Sequence, residues 1–299
     1  MKKVIVIAGP TAVGKSDFAI HIAQKYGLEI ISGDSIQVYR GLDIGSGKVT
    51  KEEMRGVKHH LIDILSPLES YSVSDFQTMA RKIIENSEKP MIICGGTGLY
   101  LKACLYDYTF EKEQKDAYDA SFEGYTNEQL WGMLNTTDPQ QAQKIHPNNR
   151  RRLIRSLTIQ KNTGRKQSEI EQEQKHELLY DALIIGCTMN REKLYARINA
   201  RVEKMFQMGL KQEMQSLLQQ GVTFSNMCME GIGYREWEPY FRENATEEEV
   251  KQRIQKDSRN FAKRQFTWFK HQMPVRWYTV DDAEDTEKVW QEIDAFCKR

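Results

Sequence analysis

Residues 9–16 read Gly9-Pro10-Thr11-Ala12-Val13-Gly14-Lys15-Ser16, the pattern G-x-x-x-x-G-K-[ST]. A β-branched run, residues 4–8, precedes them, and a run with helical apolar spacing, residues 15–26, follows. That strand-to-helix context turns a glycine-rich stretch into a phosphate loop. Its glycines let the backbone wrap so that successive N–H groups face phosphate oxygens, and the following helix adds its N-terminal partial charge. Lys15 supplies a mobile full charge, and the Ser16 hydroxyl can ligate Mg²⁺. The loop, residues Gly9, Pro10, Thr11, Ala12, Val13, Gly14, Lys15 and Ser16, is therefore expected to hold a diphosphate. It does not say what carries that diphosphate.

The rest of the chain fits this start. Residues 28–32, 59–64, 91–94, 181–187 and 276–280 read as further strands, separated by helical stretches. Alternating strands and helices predict an α/β fold, a P-loop NTPase-like parallel sheet flanked by helices. Thr50-Lys51-Glu52-Glu53, Ser74-Asp75-Phe76-Gln77 and Thr246-Glu247-Glu248-Glu249 look like capping boxes that open helices. Gly209 is expected to interrupt a long helical stretch over residues 191–220. Between 111 and 180 no strand-like run occurs, so residues 111–180 are expected to form an inserted, mostly helical domain. Residues 1–110 and 181–299 then make the P-loop core.

Composition narrows the setting. The net charge of the 299 residues is +1, so the whole-chain balance does not point to nucleic acid. The five cysteines include no C-x-x-C pair, which favours reduced thiols in a cytoplasmic protein over disulfides or zinc. No apolar run reaches membrane length, so no membrane partner is expected.

Local patterns suggest chemistry. The strand at 91–94 ends in Gly95-Gly96-Thr97-Gly98 without the acid that an NTP hydrolase carries there. The first acid at a strand's C-terminal end is Asp34, in Gly33-Asp34-Ser35-Ile36-Gln37. Ligands of open α/β sheets bind outside those ends, where a carboxylate can take a proton from a nucleophile; the alternative is an aspartate that only shapes its turn. Arg197 and Arg201 are four apart on a helix and could clamp a diphosphate, or pair on the surface. Lys144, Arg150, Arg151, Arg152, Arg155, Lys161, Arg165 and Lys166 form a basic run without acids, either a phosphate-contacting surface or a solvated face. Around Lys263 and Arg264, cations alternate with aromatics, as suits unpaired bases, although Phe261, Ala262, Phe266 and Phe269 also have core spacing. His59 and His60 lie side by side on a strand and point apart, so they do not make one metal site.

Taken in order, GPTAVGKS, GDSIQVYRGLDIGSGK, HHLIDI, YSVSDF, GGTGLY, IHPNNRRRLIRSL, GIGYREW and FAKRQFTWFK resemble the tRNA dimethylallyltransferases (isopentenyltransferases), and they span residues 9–270. The resemblance implies transfer of a dimethylallyl group from dimethylallyl diphosphate to N6 of adenosine 37, beside the tRNA anticodon, with release of pyrophosphate. It implies Asp34 as general base with Thr97 beside it, and Lys15, Ser16 and Mg²⁺ at the diphosphate. An arginine, either Arg197 or Arg201, would contact the same group. Asp34, Ser35, Ile36, Gln37 and Thr97 would touch tRNA, as would Arg150, Arg151, Arg152 and Arg155 of the insert and the pair Lys263 and Arg264. A monomer is expected. The family's Thr-Ala-Lys-Pro after Asp43-Ile44-Gly45 is here Ser46-Gly47-Lys48-Val49. Two enzymatic rivals are a P-loop kinase of nucleotides or metabolites and an adenylate isopentenyltransferase; a third is a non-catalytic RNA-binding protein on a nucleotide fold.

Overall fold

A computed structural model describes residues 1–110 and 119–299. The chain divides into two compact units, residues 1–106 with 178–299, and residues 107–177. These limits differ by a few residues from those drawn on sequence, and the expected insert start at Glu111 falls outside the described residues.

The larger unit is built on strands β1 (Lys3–Ala8), β2 (Glu29–Ser32), β3 (His59–His60), β4 (Met91–Gly95), β5 (Asp181–Thr188) and β6 (Arg276–Thr279). All pair in parallel, in the order β3-β2-β4-β1-β5-β6. Alternation along the central strand sets up two cores. Val4, Val6 and Ala8 face one apolar cluster, and Ile5 and Ile7 face the other. Both faces are buried, which is why β1 reads as an unbroken apolar run.

Helix α1 (Lys15–Tyr26) ends at Gly27, which adopts the left-handed φ of 63° that a C-cap needs. Helices α2 (Val73–Asn86) and α3 (Gly98–Leu105) precede the smaller unit. That unit contains α4 (Asn127–Thr137), α5 (Pro139–Lys144), α6 (Arg150–Thr163) and α7 (Gln167–Glu173), closed around Leu130, Leu134, Leu153 and Ile154. Buried Asp138 accepts from Gln141 N through Oδ1 and from Ser168 N through Oδ2, fastening α5 to α7. In the larger unit, α8 (Arg191–Gln207) and α9 (Leu210–Gln219) meet at Gly209, φ 96°. They are followed by the short α10 (Glu238–Phe241), then α11 (Glu247–Gln272), opened by a Thr246–Glu249 capping box, and α12 (Ala283–Lys298).

Three local expectations are corrected. The Thr50–Glu53 box does form its reciprocal bonds, 2.9 and 3.2 Å, yet no helix follows. Arg55 (φ 49°) and Gly56 (φ 77°) turn left-handed and end it after one turn. The box that opens α2 is Ser72 with Asp75, two residues earlier than the sequence suggested. The expected strand over 59–64 stops at His60, because Leu61 and Asp63 take φ of 61° and 55°, outside the β region.

Candidate active site

The phosphate loop leaves β1 at Gly9, whose φ is 140° and where a Cβ would stand 2.6 Å from the Cys187 carbonyl oxygen. Only glycine fits both the angle and the approach. Val13 is fully buried and pins the loop to the core. Gly14, φ 108°, precedes α1 without any side-chain cap, which leaves the first helical amides open to an anion. Lys15 folds back and donates to Pro10 O at 2.7 Å. Burial strips water from its ammonium and lowers its pKa; nearby Cys94 and Cys187 oppose that shift, Arg201 adds to it, and Asp34 opposes it. A loop that concentrates desolvated positive charge favours a strongly anionic occupant.

Around this loop the sheet brings further groups. Cys94 is the last residue but one of β4, in register with Ile7, near where an NTP hydrolase carries its acid, and its thiol lies close to Ser16 and Lys15. Burial pushes the Cys94 thiol up to about 11 and the Cys187 thiol up to about 12, so both are neutral at pH 7. Arg197 and Arg201 both approach the loop from α8. Arg201 donates to Thr11 Oγ1 at 3.2 Å and to Gly47 O at 3.0 Å. Arg197 is exposed, with its Nη2 3.8 Å from where a Gly14 Cβ would stand. Burial lowers the pKa of Arg201, offset by Asp34 and Glu53.

Asp34 follows β2 and Gly33. Its Oδ1 accepts from Ile36 N at 2.8 Å and Gln37 N at 3.3 Å, so it does shape its turn. It is also within electrostatic reach of Lys15 and Arg201. Shaping the turn through Oδ1 does not exclude a further role for the same carboxylate. Ser35, Ile36 and Gln37 are half-buried beside it. Thr97 starts α3 without a side-chain cap bond, and its N–H donates to Gly33 O at 3.4 Å, which places its turn against that of Asp34.

Several supporting residues were not foreseen. Glu213 on α9 accepts from Asp43 N, Ile44 N and Gly45 N, at 2.9, 2.7 and 3.0 Å, and from Tyr234 OH at 2.8 Å. Buried Lys48 donates to Tyr39 O, Asp43 and Asp63. Together they fix the segment that carries Gly47. There φ is 56° and a Cβ would fall 1.6 Å from Arg201 Nη2. Gly47 thus makes room for this arginine. The GIGYREW motif is absorbed in the same way: a Cβ on Gly231 would meet Ile36, and one on Gly233 would meet Gly45 O at 2.7 Å.

The basic run of the smaller unit is less free than its sequence implies. Lys144, Lys161, Arg165 and Lys166 pair with Glu171, Asp119, Glu173 and Glu169. Arg150 donates to the carbonyls of Phe122, Glu123 and Tyr125 and to Asn127 Oδ1. It is a structural tie within that unit. Arg151, Arg152 and Arg155 lie on the exposed side of α6, opposite Leu153, Ile154 and Leu157. On α11, Lys263 and Arg264 are exposed, Ala262 and Phe269 are core, and Phe266 packs on Trp277. His59 and His60 take separate partners, Val57 O and Glu29. No cluster of three or more His, Cys, Asp or Glu side chains fit for a metal occurs among the described residues.

Comparison with known proteins points to one family. The sequence model of the family described as IPP transferase matches residues 37–272. A tRNA dimethylallyltransferase of Anoxybacillus flavithermus is 46% identical over 296 residues, 98% of this chain and 95% of that protein. The crystal structure of a tRNA isopentenylpyrophosphate transferase from Staphylococcus epidermidis is 40% identical, covers 99% of both chains and superposes with a TM-score of 0.73. A eukaryotic dimethylallyltransferase described as acting on tRNA superposes with a TM-score of 0.83 at 31% identity, over 98% of this chain and 78% of its own.

Proposed function

The chain belongs to the IPP transferase family, and from that premise we propose how its own residues transfer a dimethylallyl group to tRNA. The donor is dimethylallyl diphosphate, held by the backbone amides from Ala12 to Ser16, by Lys15 and by Arg201. The acceptor is N6 of adenosine 37, beside the anticodon. The nitrogen lone pair attacks the C1 carbon of the dimethylallyl group, and the C1–oxygen bond breaks with its electron pair passing to the leaving pyrophosphate. The amine proton passes to the Asp34 carboxylate. Lys15 and Arg201 act where negative charge grows on the leaving group, which is where fixed positive charge lowers a barrier most.

The observation that carries this reading is the convergence of Lys15, Arg201 and Asp34 at the C-terminal ends of β1 and β2. A carboxylate opposite a diphosphate cradle suits a reaction in which one partner loses pyrophosphate and the other a proton. Mg²⁺ fits as a companion of the substrate. The Ser16 hydroxyl is a hard oxygen ligand at the start of α1, and the remaining ligands would be diphosphate oxygens and water. Bound there, the ion would neutralise charge on the pyrophosphate.

Incubation with labelled dimethylallyl diphosphate, Mg²⁺ and unmodified tRNA, followed by nucleoside analysis, tests the reaction. Label is expected on the N6 of one adenosine per tRNA. Transfer to free AMP at an equal rate, or phosphoryl transfer from ATP to a nucleoside, would point to the rival enzymes.

The exposed arginines of α6, with Lys263 and Arg264 of α11, would contact tRNA phosphates. Binding is then expected to weaken at least tenfold between 50 and 200 mM salt, as even a few released counterions require. A flat salt response in a filter-binding titration would remove them from the tRNA surface. The protein would act as a monomer, since every group named at the chemical step lies in the larger unit of one chain, and in the cytoplasm, where its free thiols would stay reduced.

A further inference from the structure

Gln265 lies on α11, 254 residues from the phosphate loop, and is 6% exposed. Its carboxamide joins two backbone segments. Oε1 accepts from Thr11 N at 2.9 Å, and Nε2 donates to Gly96 O at 2.9 Å. The first bond uses an amide of the loop read above as the donor cradle. The second fixes the turn that carries Thr97, which in turn donates to Gly33 O beside Asp34. Space is made for this bridge, since a Cβ on Gly96 would fall 2.2 Å from Nε2. One helical turn further on, the Trp268 ring occupies the place of a Gly98 Cβ, at 2.1 Å, so α11 is seated on the same turn and cannot slide.

We propose that Gln265 is a positioning residue that holds the donor and acceptor sites in register. The proposal rests on the reading that diphosphate sits on the loop and the accepting base beside Asp34 and Thr97. Each substrate finds its own contacts without Gln265. Bond formation, however, needs the electrophilic carbon and the nitrogen at near-attack distance, and a misplacement of about 1 Å costs about 10²-fold in rate. A carboxamide satisfied at both ends sets that distance through two bonds with defined directions. A residue that only filled the space would not.

The test uses the full-length protein and Gln265→Met, which keeps length and removes both hydrogen bonds. We expect kcat to fall about 10²-fold, with KM for dimethylallyl diphosphate and for an anticodon stem-loop each within about threefold of wild type. The melting temperature is expected to stay within a few degrees. Should Gln265→Met fail to fold, Gln265→Asn retains the amide but is too short to reach both partners, and the same split between kcat and KM is expected. Unchanged kcat, or a loss explained by a lower folded fraction, would overturn the proposal. So would a rise in KM for one substrate alone, because that would assign Gln265 to a single site. A wild-type protein that transfers no prenyl group, or that binds pyrophosphate equally after Lys15→Met, would instead sink the underlying reading.

Discussion

Asp34→Asn is expected to lower kcat by about 10²–10⁴-fold, the usual contribution of a positioned general base, while tRNA affinity stays within a few-fold. Asparagine is chosen because its Oδ1 can still accept from Ile36 N and Gln37 N, as Asp34 does. The turn survives and only the proton-accepting carboxylate is lost. Asp34→Ala removes both. Were the aspartate needed only for its turn, Asn would be nearly as active as wild type and Ala alone would be crippled. Single-turnover rates and stem-loop dissociation constants for the two variants separate these outcomes. A kcat for Asp34→Asn within threefold of wild type would remove Asp34 as the base.

The same comparison shows what the sequence could reveal. The phosphate loop, its strand and its helix were legible because their constraints are local: two glycines with positive φ, a buried β-branched strand and a helix start. The Thr50–Glu53 box misled for the same reason. Its bonds are local and do form, but a helix also needs residues that propagate it, and Arg55 and Gly56 turn away. Arg201 and Arg197 were indistinguishable as a pair on one helix face. Only Arg201 bonds the loop, 190 residues away, and it does so through the gap that Gly47 leaves. Gln265 was hidden inside a motif that reads as cations and aromatics, although it falls three residues after buried Ala262 and four before buried Phe269. That spacing marks it as an inward polar residue, and an inward amide needs partners. The basic run shows the converse limit: its cations are contiguous in sequence, whereas the acids that pair with four of them come from Asp119 and from residues 169–173.

Lys15→Met is expected to cost about 10²–10³-fold in kcat/KM for the prenyl diphosphate and, at neutral pH, to raise the melting temperature of the substrate-free protein. The two effects have one cause. Burial lowers the pKa of Lys15 below the ordinary value of 10.5, so the folded, empty site disfavours the ammonium that the unfolded chain keeps. Between the lowered pKa and 10.5 the unfolded state binds more protons, and stability rises with pH through that window. Below the window the desolvated charge is a fixed burden on the empty fold, which the uncharged methionine lifts. A bound diphosphate reverses the balance by giving the ammonium its counter-charge. Pyrophosphate affinity of the wild type should therefore fall with rising pH before 10.5 is reached, as the free site gives up its proton, while Lys15→Met shows no such step. Calorimetric titration with pyrophosphate across that range, paired with thermal melts, measures both. A Lys15→Met protein that binds pyrophosphate as wild type does, or that melts lower when empty, would mean that the lysine at the loop is ordinary structural charge and that the diphosphate is held by something else.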